Sequence, residues 1–216
     1  LAQVLVALGA GPFDGEKPES QTHGQAESHG VARLLGSGAL MARLRRDLLR
    51  LVSLGTGGLI TGLPGSGRRT AALSLHEESG LRGPFVSVSC CALPESLALA
   101  SLLGHTRGAF TGAVASNPGF FDQAAGGTLF LAGVDDLPQA AQAGLMDALE
   151  RRSFRPLGSG TPRRLRCRVL ASAMGGGEGL RRELYFRLSR FTLSMPPLAE
   201  RRADIPELVE AFINEG

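Results

Sequence analysis

The segment GLITGLPGSGRRTAAL (58–73) constrains this chain more than any other. A short apolar run (58–61) ends in a glycine-rich turn (62–67), and the turn opens directly into a helical pattern (67–79). Strand, glycine-rich turn and helix in that order are the context a phosphate-binding loop, G-x-x-x-x-G-K-[ST], requires. Gly62, Gly65 and Gly67 free the backbone to aim N–H groups inward at phosphate oxygens, with Ser66 between them. The helix N-terminus adds a positive field. The lysine position holds Arg68 and the Ser/Thr position holds Arg69. Arginine keeps the charge, but its planar fork is wider than a compact ammonium. A plain glycine-rich turn is the competing reading.

The rest of the chain repeats the alternation. Strands are expected at 58–61, 85–89, 127–132, 168–172 and 191–195, and helices at 67–79, 94–103, 138–151, 178–188 and 204–213. Strands alternating with helices imply a parallel sheet covered on both faces. The near-continuous apolar run TLFLA (128–132) fits a buried central strand. A further helix is expected at 38–52, with Ser37 as its cap. Leu40, Leu44, Leu48, Leu51 and Val52 follow the helical period, and Arg43, Arg46 and Arg50 fall largely on the other, solvated side. Residues 1–10 read as the end of a helix, and the polar, turn-rich 11–32 as a linker in which His23 and His29 are solvated.

Composition narrows the function classes. At 216 residues the chain suits one core domain plus extra pieces. Trp is absent and Tyr occurs once, which argues against a base-stacking RNA surface. The net charge of +3 comes from interspersed charges of both signs, so composition alone does not point to nucleic acid. Of the 23 basic residues only Lys17 is a lysine, and it falls in the linker rather than the phosphate loop. Cys90, Cys91 and Cys167 are too few and too adjacent for a disulfide framework, and no Cys/His cluster has zinc-ligand spacing. Cys90 and Cys91 end an apolar strand and are both expected to be buried. No base or metal partner for His76 or His105 is visible. A reducing cytoplasm is the expected setting, and no apolar stretch reaches the roughly 18 residues of a membrane span.

Gly108-Ala109-Phe110-Thr111-Gly112-Ala113, together with PFVSVSC (84–90), LPES (93–96), GGTLFLAGVDDLP (126–138), LYFRL (184–188) and PPLAERRADIP (196–206), resembles the central AAA+ domain of sigma-54-dependent transcriptional activators. The resemblance covers about 33–216. It implies a three-layer α/β P-loop NTPase core at 33–195, then the start of a helical lid at 196–216. It further implies ATP as ligand, sigma-54 RNA polymerase holoenzyme as partner, and a homo- or hetero-oligomeric ring. The six residues 108–113 match the family's sigma-contacting loop without change. Gly108 and Gly112 supply mobility there and Phe110 one large apolar contact. A core phenylalanine in a turn is the alternative. Arg181 and Arg187, six residues apart on one expected helix, match the two arginines that complete a neighbouring subunit's site; a surface basic pair is the alternative. Promoter DNA would be met only by a region outside these residues.

The departures from the family matter equally. Ala132 and Gly133 stand where the family strand carries the Asp that positions Mg2+ and the Glu that orients the attacking water. Neither has a side-chain oxygen, so a Mg2+ site is not expected and no residue is assigned as catalytic. Met174 stands at the polar sensor Asn, and Ser89 at the Asn preceding Cys90. Asp135 and Asp136 follow, but three residues along an extended strand is about 10 Å, out of reach unless the register slips; acids near a helix start are the simpler account. These replacements leave several readings. The chain is a regulator impaired in hydrolysis, an active ATPase with a substitute acid, a non-hydrolysing nucleotide sensor, or a decayed copy.

Overall fold

A computed structural model describes residues 29–215. The expected helix end and most of the expected linker, with Lys17 and His23, lie outside the described residues. The end of that linker is not a linker. His29–Ala32 forms a helical turn, where Val31 N–H donates to Glu78 Oε1 at 2.7 Å and Arg33 pairs with Glu77 at 2.8 Å. The packed unit therefore includes residue 29, four positions before the expected boundary.

Five parallel strands form the main sheet among the described residues: β1 (Gly58–Thr61), β2 (Phe85–Ser89), β3 (Thr128–Ala132), β4 (Arg168–Ala173) and β5 (Thr192–Ser194). Their order is β2-β3-β4-β1-β5, and every neighbouring pair is parallel. β1 lies between β4 and β5, yet the chain leaves it for β2 at the far edge. In such open sheets ligands bind beyond the C-terminal ends of the strands, where the order reverses. The loops after β1, β3 and β4 all open there.

Alternation along the strands feeds two cores. Leu59, Leu129, Leu131, Val169 and Ala171 face α3 (Glu95–Leu103) and α4 (Gln139–Arg151), meeting Ala98, Leu102, Ala141 and Leu145. Ile60, Phe130, Leu170 and Leu193 face α1 (Ala39–Leu54) and α2 (Arg68–Glu78), meeting Leu44, Leu48, Ala71 and Leu75. The three-layer α/β architecture expected from sequence is thus present.

Some expectations fail locally, for physical reasons. The buried stripe of α1 is Met41, Leu44, Leu48 and Leu51, while Leu40 is exposed, because Met41 is the residue in phase with the others. Gly38, not Ser37, caps α1, and its N–H donates to Asp204 Oδ1 at 3.2 Å. The helix expected at 178–188 starts only at Arg182, as α5 (Arg182–Leu188). Gly175, Gly177 and Gly179 all have positive φ, which breaks any helix before that point. Cys90 is buried but Cys91 is exposed, because a 3-10 turn at Cys90–Ala92 follows β2 and rotates successive residues apart. The last helix, α6 (Ile205–Glu215), leaves Val209, Phe212 and Ile213 exposed.

Candidate functional site

The loop after β1 has the geometry its glycines suggest. Gly62, Gly65 and Gly67 adopt φ of 154°, 77° and 94°, a region that side chains oppose. A Cβ at Gly62 would sit 2.7 Å from Ser66 Oγ and 2.9 Å from Met195 Cβ, so a bulkier residue would close the loop. Gly67 caps α2, leaving the first N–H groups of that helix toward the loop. Ser66 is 3% exposed, and its Oγ has no hydrogen-bond partner. Arg68 is half-buried with one guanidinium nitrogen, Nη1, likewise unpartnered, while Arg69 points to solvent. Two orphaned donors beside a strained glycine cradle fit an absent oxyanion.

Sequence reasoning left two residues of the 196–206 segment without a role; one of them, Arg201, touches this loop. Arg201 donates from Nη2 to Ser66 O at 3.4 Å and from Nη1 to Met41 Sδ at 3.2 Å, and its Nε is orphaned. Asp204 is 1% exposed, and its second carboxylate oxygen has no partner. The same carboxylate would meet a Cβ at Gly36 at 2.5 Å, so Gly36 and Gly38 are small to admit it.

At the ends of β3 and β4 the chemistry thins. Ala132 lies beside Ser172 in register, and Gly133 N–H donates to Ser172 Oγ at 3.3 Å. Met174 is exposed, and its N–H donates to Asp135 Oδ2 at 3.3 Å. Ser89 Oγ lies 3.2 Å from Cys91 Sγ. The expectation that Asp136 lies about 10 Å from the strand end is wrong. Gly133 is left-handed (φ 69°, ψ 56°), and a 3-10 turn at Val134–Asp136 doubles the chain back. Asp136 Oδ2 comes within 2.7 Å of where a Gly133 Cβ would be. Its carboxylate fills the space in which a side chain at 133 would begin. Burial, with Asp136 and then Asp135 nearby, pushes the Cys90 thiol up to about 12.

The 108–113 loop is bracketed by a two-residue hairpin, Gly104–His105 against Asn117–Pro118. Gly108 N–H donates to Ala113 O at 2.8 Å, and Ala113 N–H to Phe110 O at 2.9 Å, closing a tight turn. Gly108 and Gly112 have φ of 78° and 98° with open space around each. Ala109 touches the chain at Gly158, Thr111 is exposed and Ala113 is buried. Phe110 is half-buried, its ring 5.0 Å from that of His105.

Arg181 and Arg187 do not share a helix. Arg181 is the exposed cap of α5, with its N–H on Gln142 Oε1 at 2.8 Å. Arg187 lies in the last turn, donates from Nη2 to Leu149 O at 2.8 Å, and has its pKa lowered by burial and by Arg190 and Arg152. Of the remaining titratable groups, His76 Nδ1 lies 3.0 Å from Thr128 Oγ1, a partner the sequence did not reveal. Among the described residues no group of three or more His, Cys, Asp and Glu side chains is set to hold a metal, and no helix is long and apolar enough to cross a membrane.

Comparison with known proteins agrees with this arrangement. Residues 34–194 match the family model described as "Sigma-54 interaction domain". The C4-dicarboxylate transport transcriptional regulatory protein DctD of Rhizobium meliloti is 40% identical over 196 residues, 88% of this chain and 42% of DctD. The DNA-binding transcriptional regulator NtrC of the same organism is 39% identical over 190 residues, 85% of this chain and 39% of NtrC. This chain thus spans about two fifths of the length of these relatives. NtrX from Brucella abortus, solved in complex with ADP and with ATP, superposes with a TM-score of 0.76 in both cases at 29% identity. Those matches cover 86% and 84% of this chain and 42% and 41% of NtrX. The P-loop NTPase domain of an E. coli sigma-54 activator shares the fold at a TM-score of 0.51 and 22% identity, over 76% of this chain and 99% of that domain. With its switch-point loop, its parallel β2-β3-β4-β1-β5 sheet and the family match over 34–194, the chain is an AAA+ P-loop NTPase core that belongs to the sigma-54 interaction domain family of transcriptional regulators.

Proposed function

We propose that this domain binds ATP at the 62–69 loop, contacts sigma-54 through 108–113, and is impaired in hydrolysing ATP at its own site. One observation carries the reading: an open glycine cradle with the orphaned Ser66 and Arg68 donors faces strand ends, Ala132 and Gly133, that offer no side-chain oxygen. ATP, when bound, supplies the anhydride whose cleavage drives this class of regulator. The protein's part is to hold its phosphates with the Gly65, Ser66 and Gly67 backbone and to neutralise them with Arg68. Arg201, which donates to Ser66 O, would orient the remainder of the ligand. Ala132 and Gly133 do not fit a Mg2+ site, so no step runs through the metal. Removing one preorganised transition-state group costs about 3 to 4 kcal/mol, and here the metal ligand and the base position are both lost.

Phe110 on its glycine-flanked turn is the group offered to sigma-54. Arg181 and Arg187 are offered to a neighbouring subunit in a ring, including a mixed ring with a competent relative. Arg187 must first leave Leu149 O, which makes its engagement conditional on assembly. The test mixes this chain with a hydrolysis-competent relative and measures ATP turnover. Arg187→Ala is expected to lower the turnover of the mixture. Unchanged turnover refutes the trans role.

A second reading has its own observation. The return of Asp136 to the Gly133 position gives a carboxylate where the strand end lacks one. On this reading the chain hydrolyses ATP itself, and Asp136→Ala abolishes turnover by the purified chain. Calorimetric titration with ATP and ADP, with and without Mg2+, separates both readings from a sensor that binds without hydrolysis.

A further inference from the structure

Six of the chain's arginines fall within residues 151–166, RRSFRPLGSGTPRRLR, and no acid falls among them. The segment folds back as a hairpin. Ser153–Phe154 pairs antiparallel with Arg163–Arg164, and Leu165 N–H extends the pairing by donating to Arg152 O at 2.9 Å. Alternation sorts the side chains onto two faces. Phe154 and Leu165 are buried, and the Phe154 ring lies 5.1 Å from that of Phe121. Ser153, Arg155, Arg164 and Arg166 alternate with them, and all three arginines are exposed. Ser153 stands opposite Arg164, which puts Arg155 one diagonal step, about 7–8 Å, from Arg164. Arg166 lies two residues beyond Arg164 on its own strand, about 7 Å away. Three guanidinium groups thus project from one face of a two-stranded ribbon.

Two arginines off this face are answered by acids: Arg151 pairs with Asp147 at 2.5 Å and Arg163 with Asp122 at 2.6 Å. On the face itself, Arg155 and Arg166 form no ion pair among the described residues. The face carries no aromatic ring on which an unpaired base could stack, and no large apolar side chain to anchor a protein partner. What it offers is a positive field with forked donors, which suits the phosphate backbone of a duplex. The hairpin is also fixed against the 108–113 loop. Thr106 N–H donates to Leu157 O at 3.0 Å, Leu157 N–H donates to Gly104 O at 2.9 Å, and a Cβ at Gly158 would meet Ala109 Cβ at 2.8 Å. Arg107, next to that loop, is exposed as well.

We propose that the outer face of the 151–166 hairpin is a contact surface for double-stranded DNA, with Arg155, Arg164 and Arg166 on the phosphate backbone. Phosphate contacts carry no sequence information. The contact is therefore distinct from the promoter recognition expected of a region outside these residues. It holds a duplex beside the 108–113 loop and does not depend on what that loop binds.

The test measures fluorescence anisotropy of a labelled DNA duplex of arbitrary sequence with the purified chain, from about 50 to about 200 mM salt. Three phosphate contacts predict a slope of log K against log salt of about −2.7, hence about a 40-fold loss of affinity across that range. Arg155→Gln, Arg164→Gln and Arg166→Gln are each expected to lower the slope by about 0.9 and to weaken binding equally on two unrelated duplexes. The triple Gln variant is expected to lose the duplex and to keep the parent's thermal midpoint, because all three side chains are exposed. The triple Lys variant keeps the charge and is expected to keep the slope. Arg68→Ala, which weakens the nucleotide loop, is expected to bind the duplex like the parent. The proposal is overturned if no duplex binds at the lowest salt, if the triple Gln variant keeps the parent's slope, or if the triple Lys variant loses the duplex too. Loss of binding in Arg68→Ala also overturns it, by assigning the phosphates to the nucleotide loop. Tighter binding of single-stranded DNA, of duplex RNA or of polyglutamate overturns it as well, by assigning the face to a stacked strand, to RNA or to an acidic protein segment.

Discussion

Restoring an acid at position 133 is the sharpest perturbation of the strand end. Gly133→Glu places an acid directly at the end of β3, yet the backbone opposes it. At φ 69°, ψ 56° a residue with a Cβ costs roughly 1–2 kcal/mol. The new Cβ would also lie 2.7 Å from Asp136 Oδ2, so that carboxylate must move, and two negative side chains then share one small volume. Together these terms predict a loss of about 2–3 kcal/mol, which in a domain of this size lowers the midpoint by roughly 4–10 °C. The single variant should therefore not recover hydrolysis.

The contact with Asp136 makes the account separable. In Gly133→Glu/Asp136→Ala the clash and the repulsion are gone, while the left-handed backbone cost remains. About 1 kcal/mol should return relative to the single variant, appearing as a positive coupling in a double-mutant cycle. Urea unfolding of the four proteins, with equal m-values, is the assay. A single variant as stable as the parent, or a double variant no better than the single, refutes the geometry on which the reading of this strand end rests.

Other consequences follow from the same structure. Thiol labelling of the native chain at pH 8 should modify exposed Cys91 and spare Cys90 and Cys167, whose thiols are raised to about 12 by burial; labelling of all three at equal rates would contradict their placement. These two thiols hold their protons in the folded state after the unfolded chain has released them. Stability should then fall as pH rises from about 8.5 toward 12, by at most about 1.4 kcal/mol per pH unit for each thiol, and Cys167→Ala should flatten the slope. Burial lowers the His76 pKa, so the unfolded chain takes up the proton first and stability should drop as pH falls below about 6.5; His76→Gln should remove that drop in acid-unfolding curves. Phe110→Ala should abolish binding of sigma-54 in a pull-down and leave ATP affinity within about twofold, because the loop is remote from the cradle and the ring is only half-buried.

How far the sequence reaches depends on whether the cause is local. The five strands and the glycine turn after β1 were legible because each carries a short apolar run or a glycine pattern that dictates its own backbone. The cap of α1 was not, because Gly38 is held there through its N–H by Asp204, 166 residues away. Asp136 was misjudged for a related reason. Strand rise predicts distance only while the chain stays extended, and Gly133 in the left-handed region ends that condition at once. The burial of Arg168 gave no sign at all, since a basic residue beginning a strand is ordinary until packing on both sides removes its water.

The strand-end positions on which the proposed reading rests share a structural property. Ala132, Gly133 and Met174 sit at or just beyond the C-terminal ends of β3 and β4, none of them fully buried, whereas Leu131, Ser172 and Ala173 immediately before them are. A side chain there reaches into the ligand crevice and contributes little to the core. Its loss therefore removes chemistry without the 2–5 kcal/mol that truncating a core leucine such as Leu145 would cost. Ser172 shows the complementary case. Its hydroxyl accepts Gly133 N–H from a fully buried position, so it fixes the course of the chain whether or not a catalytic side chain projects from it. Side-chain chemistry at these strand ends can therefore vary while the sheet that positions the 108–113 loop, Arg181 and Arg187 stays intact.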